Sequence, residues 1–228
     1  FFKAFQDVFE EANNLRLLQM SATSLDFNSF LCSLVNPTHL RYLNLQDAHV
    51  WPGDLPQVLS KFLHLQVLEV GLCRDTSFTL ERMVNLEDCG ERLIFPSLER
   101  LPFLTTIKLS NLRKIREVLV PSLQELILVE MPELERCTCT SLGDLNSSLR
   151  VLEIRSCPAL KVFDLFEKGH NFAEQPSLFE GHNYGTGWKL WLPGLRVLIV
   201  INCPHLLMPC LLPHSTNVSR LHIDGVPT

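Results

Sequence analysis

Leu149-Arg150-Val151-Leu152-Glu153-Ile154-Arg155-Ser156-Cys157-Pro158-Ala159-Leu160 is the stretch on which the fold turns. Its first half reads L-x-x-L-x-I, with apolar residues alternating around Leu152 and Ile154, the period of a strand that buries one face. Its second half leaves that strand through Pro158, which fixes φ and has no N–H to donate, so the ladder ends there. Leu160, two residues later, can return inward as an apolar plug.

The first half is one of eight copies: Leu15/Leu18/Met20, Leu40/Leu43/Leu45, Leu65/Leu68/Val70, Leu104/Ile107/Leu109, Leu123/Leu126/Leu128, Leu149/Leu152/Ile154, Leu195/Leu198/Val200 and Val218/Leu221/Ile223. Their starts lie 25, 25, 39, 19, 26, 46 and 23 residues apart. Self-similarity at roughly 20–29 residues signals a leucine-rich-repeat solenoid, in which each unit buries its apolar face against its neighbours. The predicted fold class is therefore α/β: a curved parallel sheet on the concave face, with short helices and loops on the convex face. Residues 1–228 read as one leucine-rich-repeat domain of about eight repeats, with insertions near 74–103 and 163–193. Eight strands at ~4.8 Å spacing span about 35–40 Å of arc, a size suited to a protein segment rather than a metabolite. Within the first insertion, Phe95-Pro96-Ser97-Leu98 and Leu101 fit a degenerate repeat in a competing register.

The second half recurs as Met131-Pro132-Glu133-Leu134 and Cys203-Pro204-His205-Leu206. A matching opening signal precedes two repeats, Val120-Pro121-Ser122-Leu123 and Leu192-Pro193-Gly194-Leu195. The slot three residues beyond the last apolar position holds Cys73, Cys157 and Cys203, and elsewhere Thr23, Ala48, Leu112, Met131 and Val226. Three of the eight cysteines in one recurrent slot fit inward packing as small hydrophobes with a weak S–H donor, which favours a reducing compartment. Cys137-Thr138-Cys139 has the wrong spacing for a zinc knuckle or a thioredoxin motif. Residues 1–14 read as a helix with Phe1, Phe5, Phe9 and Ala12 on one face, and residues 54–63 as a second with Leu55, Val58, Leu59 and Phe62 inward.

Composition narrows the function classes. The chain has 44 Leu, is 46% hydrophobic and carries a formal charge of −5, so general affinity for nucleic acid or an anionic membrane is not expected. No apolar run reaches the ~18 residues of a spanning helix. The chain starts at Phe1 without a secretory h-region, and reads as a fragment. Sequence spacing groups none of the eight His with a nucleophile, so no enzyme is expected. His170 and His182, in a repeated Gly-His-Asn, lack further ligands for a metal, and Gly185-Thr186-Gly187 lacks the strand–turn–helix setting of a phosphate loop.

The C-P-x-L tail attached to L-x-x-L-x-I/V resembles the C-terminal repeats of plant intracellular disease-resistance receptors, the nucleotide-binding leucine-rich-repeat proteins. His39-Leu40-Arg41-Tyr42-Leu43-Asn44-Leu45 is similar to that family's recurrent H-L-R-Y-L-x-L. Leu55-Pro56 through Leu63-His64-Leu65-Gln66-Val67-Leu68 resembles its L-P-x-x-x-x-x-L-x-x-L-Q-x-L. The resemblance covers most of the chain, residues 74–94 and 164–190 excepted. It implies a cytoplasmic or nuclear recognition module that binds a pathogen effector or a guarded host protein and restrains an upstream nucleotide-binding switch. No G-x-x-x-x-G-K-[ST] occurs here, so no cofactor is expected in this fragment, ADP or ATP belonging to the absent upstream domain. Two alternatives stay open. One is the substrate-binding repeats of an F-box ubiquitin ligase, whose repeats are more uniform. The other is an extracellular receptor domain, for which Asn146-Ser147-Ser148 and Asn217-Val218-Ser219 are formal glycosylation sequons but the usual G-x-I-P is missing.

Strand alternation selects the side chains open to a partner. The central column should read Gln19, Asn44, Glu69, Lys108, Ile127, Glu153, Ile199, His222. One flanking column should read Leu17, Tyr42, Val67, Thr106, Glu125, Val151, Val197, Arg220, and the other Ser21, Gln46, Gly71, Ser110, Val129, Arg155, Ile201, Asp224. Ile127, Val129, Val151, Val197, Ile199 and Ile201 should then sit together around Glu153 and Arg155. An apolar patch of this kind marks either a partner surface or a face covered by the 163–193 insertion or by a missing domain. Trp188 and Trp191 in that insertion are further candidates, since aromatics on loops suit protein recognition. The basic group Lys108, Arg113, Lys114 and Arg116 and the acidic group Glu125, Glu130, Glu133 and Glu135 read as surface charge pairing.

Overall fold

Every L-x-x-L-x-L phrase forms a strand. The computed structural model describes residues 14–20, 37–46, 59, 61–71, 93–95, 97–167, 192–208 and 217–227. Among them the phrases give β1 (Leu17–Gln19), β2 (Tyr42–Leu45), β3 (Val67–Gly71), β5 (Thr106–Ser110), β7 (Glu125–Val129), β9 (Val151–Arg155), β11 (Val197–Ile201) and β12 (Arg220–Asp224). They form one eight-stranded parallel sheet in the order β1-β2-β3-β5-β7-β9-β11-β12. Each strand pairs at the same position of its phrase: Asn44 lies against Glu69, Glu69 against Lys108, Lys108 against Ile127, and so on to His222. A one-residue slip would turn every core side chain outward, so the apolar period fixes this register.

Among the described residues, the windings between these strands hold a second set of strands. β4 (Leu93–Ile94), β6 (Ile115–Val120), β8 (Arg136–Cys139) and β10 (Val162–Phe163) form a second parallel sheet in the order β10-β8-β6-β4. Short helices and loops were expected on this side. Among the described residues the architecture is mostly parallel sheet with few helices, compatible with a solenoid. Between β5 and β7 the physical reason is length: Thr106 and Glu125 pair across only 19 residues, which holds two turns and a short strand but no helix packed on the sheet. The longer winding between β7 and β9 does add a helix, α1 (Leu142–Ser148), which buries Leu145, and residues 164–167 form one helical turn that buries Leu165 and Phe166.

Both sheets contribute to a single core. Leu43, Leu68, Ile107, Leu126, Leu152 and Leu198 enter it from the first sheet, and Ile115, Val118, Cys137 and Phe163 from the second. Phe163 and Phe166 meet edge-on at 4.8 Å. Phe95, Leu98 and Leu101 are buried here as well, with β4 just before them in the second sheet. Leu59 and Phe62 point inward as expected, whereas Leu55, Val58 and the helix expected over residues 1–14 lie outside the described residues, apart from an exposed turn at Asn14.

The turn that leaves the first sheet is repeated too. Asn111, Glu130, Ser156, Asn202 and Gly225 each follow a strand and each has φ between 53° and 63°. That left-handed step aims the backbone N–H at the next winding: Asn111 to Val129 O, Glu130 to Arg155 O, Ser156 to Ile201 O and Asn202 to Asp224 O, all 2.9 Å. The residue after the step is the inward slot, filled by buried Leu112, Met131, Cys157 and Cys203 and half-buried Val226. Pro132, Pro158 and Pro204 then occupy the second position of a tight turn closed by Leu134 N–H to Met131 O, Leu160 to Cys157 and Leu206 to Cys203, at 3.1–3.3 Å. Leu134, Leu160 and Leu206 are fully buried, the plug expected of them.

Candidate functional site

On the face of the first sheet away from the core, three adjacent strands bring the predicted patch together. β7, β9 and β11 place Glu125, Val151 and Val197 in one row, Ile127, Glu153 and Ile199 in the next, and Val129, Arg155 and Ile201 in the third. Glu153 and Arg155 occupy the centre strand and pair with each other, Arg155 Nε donating to Glu153 Oε1. Isoleucine or valine flanks that ion pair on both sides. The patch has polar borders, Thr106, Lys108 and Ser110 on β5 and Arg220, His222 and Asp224 on β12. The patch is thus a central ion pair ringed by aliphatic side chains, with polar strands beyond it.

Exposure across the patch is uneven. Ile127, Val129, Val151, Glu153, Arg155, Val197 and Ile201 are all half-buried. Ile199 is different: it is only 1% exposed, yet it does not belong to the core cluster. Its side chain is covered on that face and offers no contact area. Trp188 and Trp191 lie outside the described residues.

No family model, curated protein or solved structure matches this chain. The site is thus read from its own chemistry. Among the described residues no group of three or more His, Cys, Asp or Glu is placed to hold a metal ion, and no helix is long and apolar enough to cross a membrane.

A second cluster lies on the same face nearer the N-terminus. Tyr42 Oη donates to Glu69 Oε1 at 3.1 Å, and Asn44 Nδ2 donates to Tyr42 Oη at 3.1 Å and to Glu69 Oε2 at 3.2 Å. The backbone N–H of Gln46 donates to Asn44 Oδ1 at 3.0 Å, so Asn44 is buried with its amide group bonded on both sides. Lys108 Nζ adds charge to Glu69 at 3.9 Å. Burial pushes the Tyr42 phenol up; the Asn44 hydrogen bond opposes this and Glu69 reinforces it. The sequence showed these residues in adjacent columns but not their bonding, which depends on the 25-residue interval that sets Tyr42 against Val67 and Asn44 against Glu69.

The charged groups behave as surface pairs. Arg116 reaches Glu133 at 3.4 Å and Glu135 at 3.8 Å, all three exposed or nearly so. Thr106 Oγ1 donates to Glu125 Oε2 at 3.5 Å. The slot cysteines are free thiols, with Cys157 Sγ donating to Arg155 O and Cys203 Sγ to Ile201 O, each at 3.4 Å. The hydrogen bond to Cys203, together with burial, pushes the Cys157 thiol far up, and burial does the same to Cys137. Cys203 moves the other way: the hydrogen bond with Cys157 lowers its thiol against the effect of burial. Cys73, the third cysteine of the slot, lies outside the described residues.

Proposed function

We propose that this chain is a leucine-rich-repeat recognition module, one solenoid domain whose exposed strand face binds a protein. It acts without enzymatic chemistry. Its setting is a plant intracellular immune receptor, where it contacts a pathogen effector or a guarded host protein and restrains an upstream nucleotide-binding switch. No cofactor of its own, nucleic acid or membrane enters this reading, and its compartment is the cytoplasm or nucleus. The observation that carries the binding role is the grid around Glu153 and Arg155, where aliphatic side chains from three strands share one face. A partner seated there would desolvate the ion pair, and such a pair sets specificity more than affinity. The C-P-x-L turns support the repeat family, and the free buried thiols favour a reducing compartment.

Two measurements test this. Ile127→Glu combined with Val151→Glu should abolish binding of the effector or guarded protein while circular dichroism and melting stay unchanged; full binding by the folded variant overturns the surface. Sequencing the native polypeptide upstream of Phe1 should reveal a P-loop. An F-box or a secretion signal there overturns the receptor assignment and leaves the solenoid to stand by itself.

A further inference from the structure

We propose that Arg150 and Arg196 form a carboxylate-reading edge of the strand face, one that takes the Asp or Glu side chains of an acidic and aliphatic protein segment seated on the grid. This rests on the strand face being the binding surface. The two arginines immediately precede Val151 and Val197, and their windings are bonded together, Arg196 N–H donating to Arg150 O at 2.8 Å. Both residues are exposed. Among the described residues neither forms an ion pair, in a chain whose formal charge is −5. The carboxylates of the grid are engaged elsewhere: Glu125 accepts from Thr106 Oγ1 at 3.5 Å and Glu153 pairs with Arg155. Gln124, the matching residue one winding earlier, is uncharged. Like charges side by side on neighbouring strands repel, so an anion placed against both arginines removes a cost that the chain itself leaves in place.

Arg150 is held ready for this. Its Nη1 donates to Gly194 O at 3.2 Å. A Cβ at position 194 would lie 2.4 Å from that nitrogen and 3.0 Å from Cζ, so the glycine leaves the seat that the guanidinium fills. A guanidinium fixed in advance loses less freedom on binding, and its other N–H groups remain to donate. The backbone adds no donor here. The N–H groups of Arg150 and Val151 both go to Gln124 O, at 2.7 and 3.0 Å, and those of Arg196 and Val197 both go to Arg150 O, at 2.8 and 3.1 Å. Phosphate cradles are built from free backbone N–H groups. With those spent, the side-chain forks are what is left, and their geometry matches a carboxylate. Val151, Val197 and Ile127 lie alongside to take the aliphatic part of the same segment.

The test is fluorescence anisotropy of two labelled peptides with this 228-residue chain. One peptide is Leu-Leu-Glu-Glu written twice, and the other has Lys in place of each Glu. In an extended chain that order puts both residue types on either face. The acidic peptide should bind, more weakly as salt rises, and the basic one should not. Arg150→Glu with Arg196→Glu should weaken binding about tenfold, because two attractive contacts become repulsive. Arg196→Glu alone breaks no described side-chain bond, so a fall in its affinity is free of any folding defect. Gly194→Ala should weaken binding at unchanged net charge, since the added methyl displaces the Arg150 guanidinium; equal affinity there strikes Arg150 from the site. Failure of the acidic peptide to bind, or equal affinity in the double arginine variant, overturns the proposal. Ile127→Ser with Val151→Ser separates it from the reading beneath it. If that variant binds fully while the arginine variant does not, the carboxylate contact stands and the strand face falls. If it alone loses binding, the strand face stands and the arginine edge falls.

Discussion

Cys157 and Cys203 stand one winding apart in the same slot, and each thiol donates to the carbonyl two residues before it. At these two positions the slot thus closes its turn with an S–H. Leu112 and Met131, in the same slot two windings and one winding before Cys157, fill the space with no donor. Packing is therefore the shared requirement, and the hydrogen bond is an addition.

The plug leucines should be the most sensitive single positions. Leu160→Ala removes a fully buried side chain from a turn held on both sides. We expect a loss of about 2–5 kcal/mol, measured by urea unfolding with an unchanged m-value. A loss under about 1 kcal/mol would mean that the turn collapses around the gap.

Gly225→Ala meets two obstacles. The residue sits at φ 63°, and an added Cβ would lie 3.0 Å from Asn202 Oδ1 and 3.2 Å from the Asn202 backbone. A destabilisation of about 1–2 kcal/mol is expected. It should be local, read as faster amide exchange across β12 while the β7 and β9 amides keep their protection.

Tyr42 should titrate above the ordinary tyrosine value of 10.0, for burial and Glu69 both favour the neutral phenol. Glu69→Gln removes one raising influence, so the phenolate absorbance should appear at lower pH in that variant. Tyr42→Phe assigns the signal, since the chain has only one other tyrosine. An unmoved titration in Glu69→Gln would show that the carboxylate does not act on the phenol.

Alkaline stability should depend on Cys137. Burial raises its pKa in the folded chain above the unfolded value near 9.0. Below that pH both states hold the proton and the contribution is fully present. Above it the unfolded chain releases the proton first, so stability falls by about 1.4 kcal/mol per pH unit until the folded thiol titrates. Cys137→Val should flatten this slope from about pH 9 upward. An equal slope in both proteins would refute it.

Arg116→Ala should change stability by less than about 0.5 kcal/mol, because its pairs with Glu133 and Glu135 are exposed and screened. Thermal melting at low and high salt is the measurement. A larger, salt-sensitive loss would show that the three charges act as a network.

Eight strands and their register were legible because a strand with one buried face writes its period into the chain, and Leu43, Leu126 and Leu152 keep it without exception. The second sheet was not legible. β8 has four residues and β10 two, too few for alternation to show, and in β6 the spacing from Ile115 to Val118 breaks the pattern. The left-handed step was missed for another reason: Asn111, Glu130, Ser156, Asn202 and Gly225 share a backbone shape but span four residue types. Of the candidate site, sequence placed every patch residue in its column. It could not foresee that Ile199 would be covered while Ile127 beyond Glu153 stayed half-open, since the two side chains are identical and only their surroundings differ.

The unequal windings have a mechanical consequence. Both ladders bond from strand to strand, so tension along the stack loads each pair of strands in turn and peels them apart rather than shearing them. Each rupture would release the residues of one winding. At about 3.4 Å per residue, the β5–β7 winding frees about 65 Å and the β9–β11 winding, whose paired positions Val151 and Val197 are 46 residues apart, frees about 155 Å. A chain pulled from its ends would lengthen in uneven steps, and the sizes of those steps would report which winding had just opened.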